Sequence, residues 1–203
     1  MKPENVLRAF LAASALTLAY LKLVRPRVLS WGARPDEVAA VLPGDAILPS
    51  VCLQTTRAVG IDALPEQVWP WLVQMGPRPR AGVYTYDWIE RLLGIDIENS
   101  GRILPQFQHL EPGEFFALGK NGNGLRVKEV LPARALVLQW EPGLSTWAIV
   151  ILPDGEGSTR LLSRNRIAGS GPLFRLAMAI MEPASLVMER KMLQGIRARA
   201  LLA

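Results

Sequence analysis

The spacing of apolar residues divides the chain into stretches of different period. From Val6 to Val24 (VLRAFLAASALTLAYLKLV) nearly every position is apolar or small, and only Arg8 and Lys22 are charged. That length approaches the roughly 20 residues a helix needs to cross a bilayer. Both charges stand near its ends, where long side chains reach back to headgroups. From Arg25 to Ser50 no period is visible; Pro26, Pro35, Pro43 and Pro49 mark a linker with one short helical turn at Pro35-Asp36-Glu37. Gln54–Ile61 alternates and is rich in β-branched residues, which predicts a strand. Pro65–Met75 has helical spacing, burying Val68, Trp69, Leu72 and Met75, with Pro65 in the first turn, Pro70 early enough to bend without breaking, and Gly76 as the stop. Asp87–Leu93 is a second short helix, capped by Asp87 and ended by Gly94.

Ile95–Glu111 is irregular and polar, long enough to be a functional loop. Five strand-like runs follow: Glu114–Leu118, Leu125–Val130, Ala135–Trp140, Thr146–Leu152 and Thr159–Ile167. Glycine- and proline-rich turns separate them, including the run Gly119–Gly124. That run lacks the ending and following helix of a phosphate-cradling loop and reads as a hairpin turn. Gly169-Ser170-Gly171-Pro172 then launches a helix over Leu173–Leu202, about 45 Å long. One face carries Phe174, Ala177, Met178, Met181, Ala184, Met188, Met192 and Ile196; the other carries Arg190, Gln194 and Arg197. Pro183 predicts a kink, or two helices meeting, near Met181–Glu182.

Strand, two helices, a five-strand meander and a long helix make an α+β fold. Successive antiparallel strands need one covered face, and only the C-terminal helix is long enough to cover it. A curved sheet gripping that helix, with the two short helices plugging one end, leaves room for a hollow. The methionines on the helix suit the wall of an adaptable apolar cavity, although an ordinary packed core has the same pattern. The expected organisation is an apolar helix over 1–24, a proline-rich linker over 25–50, and the α+β domain over 51–203.

Composition narrows the partners. Of 203 residues, 23 are Lys or Arg and 18 Asp or Glu, for a net charge of +5 spread along the chain. No basic stripe or reading element for nucleic acid is present, and a mild positive balance beside an apolar N-terminus fits anionic headgroups better. Ala12-Ala13-Ser14-Ala15 lies inside the apolar run and not after it, which argues against a cleaved signal peptide. Tyr20 and Trp31 sit where interfacial aromatics belong, and Lys22, Arg25, Arg27 and Arg34 outnumber Lys2 and Arg8. The expectation is a single membrane-anchoring helix over residues 6–24 with the domain on the cytoplasmic side. One cysteine, Cys52, permits no internal disulfide, and with one histidine, His109, no usual zinc site is possible. No metal and no cofactor is expected.

Several segments resemble, in order, a bacterial branch of the SRPBCC superfamily, the helix-grip proteins that include START-like and polyketide cyclase/dehydrase-like members. They are Trp31-Gly32-Ala33 with Leu42-Pro43-Gly44-Asp45, then Thr56-Arg57-Ala58-Val59 through Val68-Trp69-Pro70-Trp71-Leu72-Val73-Gln74-Met75-Gly76, then Gly82-Val83-Tyr84-Thr85-Tyr86-Asp87-Trp88-Ile89-Glu90, and finally Met188-Glu189-Arg190-Lys191-Met192-Leu193 with Gly195-Ile196 and Arg199-Ala200. The match spans about residues 31–203. The resemblance implies a helix-grip fold with a cavity for an apolar or amphipathic small molecule. It does not imply an enzyme, because carriers, sensors and cyclases share the fold.

The densest group of chemistry-bearing residues is Tyr84, Tyr86, Asp87 and Trp88, with Trp69, Trp71, Gln74 and Met75 close in sequence. Tyrosine hydroxyls in a pocket can polarise a carbonyl, and an aspartate in apolar surroundings can act as a base. Equally, Asp87 can cap its helix while the tyrosines tie down the loop. His109 is the one imidazole, at the end of the long loop, where either a proton shuttle or a solvated side chain fits. No G-x-S-x-G elbow accompanies it, which excludes a serine-histidine hydrolase of that type. Arg164 and Arg166 share a strand face, where they either meet an acidic ligand head or are solvated. The expected ligand-contacting set is Trp69, Gln74, Met75, Tyr84, Tyr86, Trp88, Trp140, Trp147, Arg166, Met178, Met181 and Met188. Two functions remain open: binding of a lipid-like or polyketide-like molecule at a membrane surface, or a cyclase/dehydratase using Asp87 or His109 with Tyr86. The scarcity of acid/base residues favours binding. A cavity filled by side chains is the third possibility.

Overall fold

The computed structural model describes residues 3–92, 94–118 and 122–202. The chain enters through helix α1 (Pro3–Ala19), one π-helical turn (Tyr20–Val24) and helix α2 (Arg25–Leu29). Among the described residues no helix is long and apolar enough to cross a membrane. The membrane-crossing expectation is corrected accordingly: α1 has 17 residues, its apolar side chains are diluted by Ala, Ser and Thr, and Lys22 and Arg25 follow within two turns. The orientation argued from flanking charges falls with it. Helix α2 is instead stapled to the domain. Arg25 grips Glu182 with two parallel bonds, Nε to Oε2 at 2.8 Å and Nη2 to Oε1 at 2.7 Å, a fork geometry that adds direction to charge.

The stretch read as a linker lies against the sheet. Its short helix α3 (Pro35–Ala39) is followed by a 3₁₀ turn at Asp45–Ile47, and Leu42 is buried with Ala33 and Ile47 packed around it. Gly32 makes the close approach possible: it has φ +72°, and a Cβ there would stand 2.1 Å from the carbonyl oxygen of Ala58.

Strand β1 (Leu53–Ile61) leads to helices α4 (Pro65–Val73) and α5 (Asp87–Leu92), then to the meander β2 (Phe115–Ala117), β3 (Gly124–Leu131), β4 (Ala135–Glu141), β5 (Ser145–Pro153) and β6 (Thr159–Ile167), and finally to helix α6 (Pro172–Ala200). Among the described residues these strands form one antiparallel sheet in the order β1-β6-β5-β4-β3-β2. Leu53 faces Ile167 and Ile61 faces Thr159 across the β1–β6 ladder. Every predicted strand is present, with ends shifted by a residue or two; Leu93 and part of the Gly119–Gly124 turn lie outside the described residues.

The inner face of the sheet packs Val59, Ile61, Ile149, Ile151 and Leu161 against Val68 and Leu72 of α4 and Met192, Leu193 and Ile196 of α6. Each fully buried aliphatic side chain contributes about 1.5–3 kcal/mol. α6 comes close enough because Gly195 has no Cβ to meet the Tyr84 carbonyl oxygen, which would be 2.8 Å away.

Two expectations change. Both sheet faces are covered, not one: on the outer face Ala58, Ala135, Val137, Ala148, Val150 and Leu162 form a second core under residues 31–48. And of the two alternatives at Pro183, two meeting helices are excluded, because α6 is one helix of 29 residues with the proline inside it. Its apolar stripe is used unevenly. Met192, Leu193, Ile196 and Ala200 are buried, whereas Leu173, Leu176, Ile180 and Met181 are exposed.

Candidate functional site

A cavity of about 280 Å³ opens between the inner face of the sheet, α6 and the loop entering α5. Its wall is mostly apolar: Met75, Val83, Ile95, Ile97, Phe116, Leu125, Leu136, Leu138, Trp147, Met188 and Met192. Strand alternation decides which parts of β6 face it. Leu161, Ser163 and Asn165 point inward, and Arg160, Leu162 and Arg164 point outward. A helical stripe on α6 supplies the opposite wall, with Ser185, Met188, Glu189 and Met192 at i, i+3, i+4 and i+7.

The polar groups of the wall are few and buried. Glu189 Oε1 accepts from Asn165 Nδ2 at 2.6 Å and lies 2.9 Å from Arg57 Nη1. Glu189 Oε2 is buried without a well-directed hydrogen bond. Arg57 stands behind the wall, wholly buried, with Nε donating to the Val28 carbonyl at 3.0 Å and Nη1 to Ser185 Oγ at 3.0 Å. Burial pushes the Glu189 carboxyl up to about 7, against the opposing pull of the Arg57 charge and of hydrogen bonds from Ser163 and Arg57. A second carboxylate, Glu90, is buried in the same wall and accepts from Thr85 Oγ1 at 2.9 Å. The Trp147 indole donates to Ser163 Oγ at 2.9 Å, so its proton is spent inside the wall.

Of the expected ligand-contacting residues, Met75, Trp147 and Met188 line the cavity. Gln74 and Tyr84 sit beneath it as a buried polar staple. Gln74 Nε2 donates to the Tyr84 hydroxyl at 2.8 Å and its Oε1 accepts from Leu104 N at 2.8 Å, while the tyrosine donates to the Trp71 carbonyl at 2.9 Å. Through Gln74 the long loop is tied to α4, and burial raises Tyr84 to about 12, which keeps it protonated as a donor. Trp69 packs between two core clusters. Tyr86 lies under the Lys191 ammonium, 5.6 Å from its ring centre. Trp88 is 66 % exposed. Trp140 is half-buried opposite Leu125 and Ser145. Arg166 belongs to the outer face, bonded to the Leu48 carbonyl at 2.8 Å. Met178 faces a surface groove beside Arg25 and Glu182, and Met181 is exposed. None of these seven lines the cavity, and neither does Asp87 or His109. Asp87 accepts from Asn99 at the start of α5, and His109 is exposed.

Sequence reasoning passed over Thr85, Glu90, Asn165, Ser185 and Glu189. One signal was available: Glu189 interrupts an apolar helical stripe between Met188 and Met192.

A sheet curved around a C-terminal helix, with two short helices after the first strand and a hollow between them, settles the architecture. The chain is a helix-grip domain. No family model and no curated protein matches it. Among solved structures this helix-grip domain is similar to a Thermobifida fusca protein, with 12 % identity over 72 % of this chain and 92 % of that one and a TM-score of 0.49. A Rhodobacter sphaeroides protein matches with 17 % identity over 76 % and 95 % and a TM-score of 0.47. An HSP90 activator from Plasmodium falciparum matches with 14 % identity over 64 % and 86 % and a TM-score of 0.40. The likeness concerns architecture only. The helix-grip domain has the fold that its resemblance to the SRPBCC superfamily implied, and among the described residues no group of His, Cys, Asp and Glu is placed to hold a metal.

Proposed function

We propose that the chain binds a small, mostly apolar molecule in the cavity between the sheet and α6. The observation that carries this reading is the unfilled space itself, about 280 Å³ in a domain whose flanking core is closely packed. An apolar hollow of about 150 Å³ already suffices for benzene. Natural ligand pockets share this make-up of an apolar wall with a few placed polar groups. Two methionines in the wall, Met75 and Met188, add adaptability of shape. The enzymatic alternative has less support, because Asp87 and His109 stand outside the cavity wall.

The same reading places binding at a membrane surface, supported by exposed Phe10, Leu11, Leu18 and Leu21 on the entry helices and exposed Leu173, Leu176 and Ile180 on α6. Such faces lie on a bilayer and do not span it.

Saturation-transfer NMR with naphthalene tests the cavity, and native mass spectrometry of full-length protein from its own host tests for a resident molecule. Transfer to naphthalene that Val83→Phe abolishes is the expected result. No transfer, together with an empty mass spectrum, would overturn the reading in favour of a closed core.

A further inference from the structure

The hydrogen-bonding groups of the cavity wall are unbalanced. Among the described residues no lysine or arginine lines it, whereas Glu90 and Glu189 both do. Arg57 pairs with Glu189 from behind. Glu90 has no such cation: it is only 8 % exposed, and its bond partner is the Thr85 hydroxyl. All but one of the side-chain N–H and O–H groups assigned in the wall are already committed, the exception being the second N–H of Asn165. Trp147 donates to Ser163, Ser185 donates to the Glu182 carbonyl at 3.1 Å, Thr85 donates to Glu90, and Asn165 donates to Glu189. What is left over mostly accepts: the Glu90 carboxylate, the Thr85 oxygen, and the amide oxygen of Asn165, whose orientation is fixed by the Nδ2 bond.

We propose that the cavity selects a compact hydrophobic amine, its apolar body among Leu125, Leu136, Leu138 and Trp147 and its protonated nitrogen paired with Glu90. This rests on the proposed binding function and names the ligand class. An ammonium carries three donors and no acceptor, the complement of an acceptor-rich wall. A carboxylate head would find no cation among the described residues of the wall and would meet two acids. A buried carboxylate without a partner is costly, and a ligand cation removes that cost when it enters. Volume suits such a body: at about 280 Å³, against the roughly 150 Å³ that holds benzene, the cavity has room for one ring and a short chain.

The test is isothermal titration calorimetry of the full chain at neutral pH with phenylbutylamine, phenylbutanol and phenylbutanoic acid, which share one apolar body. The amine is expected to bind about tenfold tighter than the alcohol, and the acid weakest. In Glu90→Gln, with its fold checked by circular dichroism, the amine-to-alcohol ratio is expected to fall toward one. Alcohol binding with no advantage for the amine, an acid as tight as the amine, or a preference that survives in folded Glu90→Gln would each overturn the amine assignment while leaving the binding site standing. Failure of all three to bind would overturn the binding function, and the amine with it. Should Glu90→Gln not fold, the ranking on the unaltered protein decides alone.

Discussion

On the outer face of the sheet Arg164 commits all five of its N–H groups: to Thr56 Oγ1 at 3.0 Å, to Asp45 Oδ2 and the Ala40 carbonyl at 2.7 Å, and to the carbonyls of Glu37 and Val38 at 2.8 and 3.0 Å. Beside it Arg160 clamps Glu37 through two bonds of 2.7 and 2.8 Å. Burial opposes ionisation of Glu37, but those bonds and the Arg34 backbone N–H hold its carboxyl below the usual range. Across the same sheet, Glu90 has a single hydroxyl partner and one oxygen of Glu189 has none. Both regions bury charge. One spends nearly all of its hydrogen-bonding capacity within the fold, with only Asp45 Oδ1 left without a hydrogen bond, 3.7 Å from Arg166 Nε, and the other keeps acceptors in reserve beside an empty space. Fully satisfied buried networks fix a structure, whereas partly satisfied ones mark where a ligand completes it.

The sharpest test of this contrast is Arg164→Ala. Removing one member of a buried ion pair and orphaning three carbonyls is expected to cost about 3–5 kcal/mol in chemical denaturation; a loss below about 1 kcal/mol would show that the outer network is not structural. The inner face predicts a pH effect. The Glu189 carboxyl is raised in the folded protein from 4.5 to about 7, so its contribution to stability is fully present below pH 4.5 and is lost as pH rises through about 7. The loss is at most about 3 kcal/mol. Urea titrations across that range should show the decline in the native protein and a flatter profile in Glu189→Gln. Equal slopes would place the carboxyl at its ordinary value.

Smaller effects follow. Val83→Phe inserts a ring into the cavity and is expected to change stability by less than about 1 kcal/mol while abolishing probe uptake, because an existing void absorbs the added volume. Unchanged uptake would relocate the ligand. Smallest of all, Ile180→Ser, on the exposed half of α6, should leave the melting curve within about 0.5 kcal/mol and reduce sedimentation with anionic liposomes; full retention on liposomes would remove this helix from the membrane face.

The elements were legible because their periods are clean: β6 was read to the residue, and α6 to within two. The segment over 25–50 was not, because it covers the sheet with turns and one five-residue helix, and irregular packing leaves no period to detect. The cavity wall was only partly legible. Alternation on β6 places Arg164 and Arg166 on one face, but it does not say which face is hollow, and Asn165 on the other face proved to be the lining residue. The aromatic run Tyr84–Trp88 drew notice for its chemistry. Its pairing with Gln74 and its exposure at Trp88 depend on contacts far apart in sequence. Glu90 and Glu189 received no role from the sequence, because their place in the cavity wall depends on how α5 and α6 meet the sheet.

The position of β1 has a consequence for synthesis. It is an edge strand whose sole sheet neighbour among the described residues is β6, pairing Leu53 with Ile167. As the chain leaves the ribosome, β1 and the covering segment before it must therefore wait for the entire meander to be translated. At about 5–20 residues per second that wait lasts several seconds. During it β1 and the covering segment have no native surface to dock on, and the unpaired edge of β1 stays open to other chains.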